Sequence, residues 1–66
     1  MANMLYPRPK SHTVNTACYF IERVFGEVEY HHLGKPTGWT VFSAHKDGEM
    51  VAFYDEESGD LWTTVH

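Results

Sequence analysis

Apolar and polar positions alternate most clearly in the second half of the chain. Trp39 to His45, Met50 to Asp55 and Leu61 to Val65 are three β-rich runs, separated by Lys46-Asp47-Gly48-Glu49 and by Glu56-Glu57-Ser58-Gly59-Asp60. Asp-Gly between such runs marks a two-residue type I′ hairpin, because both central positions need positive φ. The pattern therefore predicts a β-meander. With Asp47 and Gly48 at the tip, Lys46 faces Glu49, Ala44 faces Val51, Phe42 faces Phe53 and Thr40 faces Asp55. A three-residue loop, Glu57-Ser58-Gly59, then sets Tyr54 opposite Trp62 and Val51 opposite Val65. One face carries Phe42, Ala44, Val51, Phe53, Leu61 and Val65; the other carries Trp39, Val41, Met50, Ala52, Tyr54 and Trp62. A two-residue loop at Ser58-Gly59 swaps the faces of the last strand, since side chains alternate with period two. In either register both faces are apolar.

Residues 15–26 have the helical period instead. Val14, Ala17, Cys18, Ile21, Val24 and Phe25 fall on one stripe with Phe20 at its margin, Asn15 suits an N-cap, and Gly26 suits the C-terminal cap. Arg23 sits in the last turn, where a cation complements the helix dipole. Tyr19 lies with Glu22 and Arg23 on the opposite side and is expected to be exposed. Glu27 to Leu33 alternates again, with Val28, Tyr30 and His32 on one side and Glu27, Glu29 and His31 on the other, as a half-buried strand does. A five-residue turn, 34–38, leads from it to Trp39. Before the helix, Tyr6-Pro7-Arg8-Pro9-Lys10 reads as extended, because proline disfavours helix at the residue before it. The predicted fold is α+β: an extended arm over 1–13, then a single domain over 14–66 in which one helix packs on a three- to four-stranded antiparallel meander.

Length sharpens this picture. A chain of 66 residues buries only about 60% of its unfolded surface, so a partner or a second copy would relieve a small core. Its single cysteine, Cys18, forms no internal disulfide and, on the buried stripe, reads as a small core residue. No apolar run approaches the roughly 20 residues of a membrane span, and the first residues lack a signal-peptide pattern. The expected location is cytoplasmic, with no membrane partner.

The net charge of −4 is uneven. Arg8, Lys10 and Arg23 face only Glu22 in the first 26 residues, whereas Glu27, Glu29, Asp47, Glu49, Asp55, Glu56, Glu57 and Asp60 face Lys35 and Lys46 thereafter. Such a surface repels nucleic acid and favours a basic protein partner. A single-stranded nucleic-acid binder, stacking bases on the sheet aromatics with Arg8 and Lys10 folded over, is the alternative.

Candidate chemistry is sparse. Glu29 and His31 share a strand face at i, i+2, with His45 or His66 as conceivable third donors, but two supported ligands do not make a zinc site. Asp55, Glu56, Glu57 and Asp60 surround a hairpin tip, where little burial is expected to split acid from base. No Gly-rich phosphate loop, Ser-His-Asp arrangement or HExxH occurs. No cofactor, metal or catalytic residue is assigned, and an enzyme is not expected.

What remains is surface. One short helix covers one side of a four-stranded sheet, which leaves aromatic residues of the other for a partner. The expected contact set is Trp39, Tyr54, Trp62, Met50 and Tyr19, with an acidic edge of Asp55, Glu56, Glu57, Asp60, Glu27 and Glu29. In size, acidity and one helix with a meander, the chain resembles the small accessory proteins that bacteriophages make to block host machinery, among them anti-CRISPR and anti-restriction proteins and polymerase inhibitors. The resemblance implies an antagonist of a nucleic-acid-handling protein, and assigns no residue a role.

Overall fold

The structure, a computed structural model, describes residues 4–9 and 11–64. Its elements in order are β1 (Tyr6–Pro7), α1 (Val14–Phe25), β2 (Glu29–Leu33), β3 (Val41–Lys46), β4 (Glu49–Asp55) and β5 (Asp60–Thr63). All pairings are antiparallel and the sheet order is β1-β5-β4-β3-β2. Strands β2 to β5 form the expected meander. The arm adds a fifth strand, since Tyr6 and Pro7 pair with Thr63 and Trp62. Beyond β1 the arm stays attached: the Arg8 amide donates to the Leu61 carbonyl and the His12 amide to the Gly59 carbonyl, both at 2.8 Å. Lys10, Val65 and His66 lie outside the described residues, and with them the expected Val51–Val65 pair and any role of His66.

The helix begins earlier than the capping residues alone suggest. Thr13, extended at φ −90° and ψ 171°, is the N-cap in place of Asn15, which is helical. The Thr16 amide donates to Thr13 Oγ1 at 3.2 Å and the Thr13 amide to Thr16 Oγ1 at 2.8 Å. These reciprocal bonds satisfy two backbone donors and outweigh asparagine's single-residue preference. Thr13→Ala is expected to lower stability by about 1 kcal/mol, read as a shifted urea midpoint, while Asn15→Ala changes it far less. Ala17 and Ile21 are wholly buried, with Val14, Cys18, Phe20 and Phe25 packed around them. Val24, expected on the stripe, is exposed. Tyr19 is exposed as expected.

The first hairpin turns at Asp47 (φ 53°) and Gly48 (φ 82°), with Lys46 opposite Glu49. The expected register ends there. A bulge between Ala44 and His45 leaves Val51 as an extra residue on β4, so Ala44 faces Ala52, Phe42 faces Tyr54 and Val41 faces Asp55. The second hairpin closes with four residues between Asp55 and Asp60, which sets Leu61 opposite Tyr54 and Trp62 opposite Phe53. The bulge and the longer loop each move pairing by one residue, and together they recast both faces. Phe42, Ala44, Ala52, Tyr54 and Leu61 now form the core beneath α1, with Val51 in the same cluster. Phe53 and Trp62 are cross-strand partners on the other face. Placing Tyr54 on the exposed face and Phe53 in the core is thereby corrected: Tyr54 is fully buried, its ring 5.3 Å from Phe42, and its hydroxyl donates to the His12 carbonyl at 2.7 Å.

Candidate functional site

The sheet face turned away from α1 can be built row by row from the register. A central row crosses all five strands as Pro7, Trp62, Phe53, Ser43 and His31. Toward the β4–β5 hairpin lies a row of Leu33, Val41, Asp55 and Asp60; toward the Asp47-Gly48 turn lies Glu29, His45 and Met50. Val41 and Ser43, at the sheet's centre, are buried, whereas Leu33, Met50 and Trp62 expose 49%, 41% and 37% of their surface. Trp39, 46% exposed, enters β3 beside them and lines an open hollow of about 310 Å³ with Leu33, Lys35 and Val41. Trp39, Met50 and Trp62 are thus exposed as their sequence suggested, Leu33 is exposed with them, and Phe53 lies half-buried on the same face. Leu33 could have been read from its alternation with His31; Phe53 could not, because its face depends on the bulge. Tyr19 is on the helix side, apart from this group.

The acidic residues do not form one edge. Glu27 and Glu29 stand at the end of β2 beside His45, whereas Asp55, Glu56, Glu57 and Asp60 surround the β4–β5 hairpin by Leu33. Four residues of strand, about 13 Å, separate the two ends. Three of these four hairpin carboxylates, Asp55, Glu56 and Glu57, are also engaged. Lys35 Nζ donates to Asp55 Oδ2 at 2.9 Å and to Glu57 Oε1 at 3.0 Å, and Glu56 Oε1 accepts the Thr40 amide at 2.9 Å.

The hydrogen bond from Lys35 holds the Asp55 carboxyl below its ordinary range, and the same bond, with that to Glu57, raises the Lys35 ammonium. A depressed acid stabilises the fold above its unfolded value, about pH 4, and loses that contribution as pH falls through the lower folded value; a raised amine stabilises it below about pH 10.4 and loses its contribution as pH rises. The expected stability–pH curve falls at both extremes. Lys35→Met should flatten both limbs, measured as urea midpoints from pH 2 to 11.

At the opposite end, polar side chains satisfy one another. Glu29 Oε1 meets His31 Nε2 at 2.5 Å, the His31 and His45 rings stack at 4.2 Å, and His45 Nε2 meets Ser43 Oγ at 2.9 Å. The bond to His31 lowers the Glu29 carboxyl. The fold thus brings His45 to the Glu29–His31 pair, yet among the described residues no group of three or more His, Cys, Asp or Glu side chains is placed to hold a metal. Ser43 and His45 form a hydroxyl–imidazole pair in which, among the described residues, no carboxylate is bonded to His45, and Ser43 is buried. The arrangement lacks the oriented base and exposed nucleophile of an acyl-transfer site. Arg8, expected to fold over bound nucleic acid in the alternative reading, lies 5.3 Å over the Phe20 ring and donates to Thr63 Oγ1 at 3.4 Å.

No family model, curated protein or solved structure matches the chain. Among the described residues no helix is long and apolar enough to cross a membrane.

Proposed function

We propose that this protein is a non-enzymatic binding module that docks its open sheet face on another protein and blocks a basic, nucleic-acid-handling surface there. The observation that carries the reading is the exposure of Trp39, Met50, Trp62 and Leu33 on the one face that α1 leaves uncovered. Large apolar side chains grouped on one side mark contact surfaces in small proteins, and tryptophan is enriched among the residues that dominate binding. Carboxylates at both ends of the same face favour a partner with basic flanks. Because Lys35 and the Thr40 amide already engage three of the four hairpin acids, the proposed action is steric occlusion by the aromatic face, with charge guiding approach.

The test is affinity capture from the native host, with each captured species then purified and titrated. Trp39→Ala with Trp62→Ala should weaken the isolated complex by at least about tenfold while circular dichroism and the urea midpoint stay near wild type, because both side chains are exposed. Binding unchanged in that folded variant overturns the reading. Concentration-dependent sedimentation, with no heterologous complex and with self-association abolished by the same substitutions, would instead assign this face to a second copy of the chain.

A further inference from the structure

The two edges of the sheet are unlike. Edge β1 is two residues long and contains Pro7, with Pro9 close behind it; proline offers no amide to a further strand. Edge β2 is five residues long, contains no proline, pairs among the described residues only with β3, and exposes Glu29, His31, His32 and Leu33. An outer strand turns half of its amides and carbonyls away from the sheet, and such a row is a template for another extended chain.

The surroundings of β2 specify what that chain would carry. Glu29 and Leu33 lie on the open face four residues apart. Beside Glu29 is a cavity of about 500 Å³ lined by Glu27, Glu29 and Asp47, together with Lys46. The Lys46 ammonium donates to the Phe25 carbonyl and keeps its charge, but three carboxylates outnumber this one cation and leave the cavity net negative. A residue opposite Glu29 in an added strand would project onto the same face, with its Cβ about 5 Å away. A lysine or arginine there reaches the cavity with its charge. Four residues further, a side chain opposite Leu33 meets an exposed apolar surface continuing toward Trp39.

We propose that β2 is an acceptor edge: an extended segment of the partner protein adds to it as a sixth strand, with a lysine or arginine opposite Glu29 and an apolar residue opposite Leu33. This rests on the binding-module reading and adds to it the chemistry of the recognised segment. Main-chain hydrogen bonds supply the common part of the affinity and the two side chains the selectivity.

The probe is the symmetric peptide Val-Thr-Thr-Thr-Lys-Thr-Thr-Thr-Val, which presents the lysine–valine spacing in either strand direction. It is titrated into isotope-labelled protein and followed by amide NMR. The expected result is saturable shifts concentrated on 29–33, slowed exchange of the outward amides of β2, and weakening with salt. Replacing the peptide lysine with glutamate, or methylating alternate peptide nitrogens, each reduces affinity by at least about tenfold, and Glu29→Gln weakens the lysine peptide more than a peptide with norleucine in its place. The proposal is overturned if millimolar peptide leaves 29–33 unperturbed, or if the N-methylated peptide binds equally well. Were the edge silent while capture by the full protein still required Trp39 and Trp62, the binding-module reading would stand without a strand-addition site; were the peptide bound but capture indifferent to the tryptophans, the open-face reading would fail.

Discussion

Tyr54→Ala is expected to destabilise the protein by about 3–5 kcal/mol, roughly half or more of its total stability. Tyr54 sits at the crossing of three parts of the molecule. Its ring, with no exposed surface, lies against Phe42 and shares the core with Ile21 and Leu61; its hydroxyl ties the segment before the helix to the sheet through the His12 carbonyl. Removing the ring opens a cavity that a five-stranded sheet cannot close by moving one element. Stability near 0.1 kcal/mol per residue gives a chain of this length only about 7 kcal/mol to lose. Tyr54→Phe separates the two contributions. It keeps the ring and deletes the hydrogen bond, for about 1 kcal/mol, and the effect should be local: faster hydrogen exchange at the His12 amide and β1 with little change in the rest of the sheet. Urea unfolding of the three proteins checks the first claim. A Tyr54→Ala protein as stable as wild type would contradict the core placement and, with it, the register on which the open face depends.

Gly59→Ala is the second large effect, expected at about 2–5 kcal/mol as the sum of two physical causes. Gly59 adopts φ 76°, a left-handed conformation that costs an L-residue about 1–2 kcal/mol. A Cβ added there would lie 2.3 Å from Ser11 Oγ, and overpacking of that kind adds about 1–3 kcal/mol. The site is sensitive because it joins two tertiary links. The Gly59 amide donates to Asp55 to close the hairpin, and its carbonyl accepts the His12 amide that holds the chain leading into α1. Combining Gly59→Ala with Ser11→Gly removes the obstructing hydroxymethyl group. Relative to Ser11→Gly alone, the glycine replacement should then cost only the conformational part. Equal penalties in both backgrounds, measured by denaturant unfolding, would show that the contact contributes nothing.

These residues also show where local pattern stops being informative. Alternation, an Asp-Gly turn and one helical stripe determined an α+β chain with a meander, the Lys46–Glu49 pair, the helix on one side of the sheet, and exposed Trp39, Met50 and Trp62. Each follows from interactions between near neighbours, namely turn dihedrals, helix periodicity and the twofold pleat. Tertiary packing decided the rest. The Ala44–His45 bulge and the four-residue loop depend on which side chains fill the space beneath α1, and Tyr54 fits there against Phe42 with its hydroxyl satisfied by His12, a partner 42 residues away. The arm became β1 because β5 offered an edge, and the acidic residues were separated because strand direction carried them to opposite ends of the sheet. No short-range signal encodes these choices, since they compare the free energies of whole arrangements differing by one residue of register.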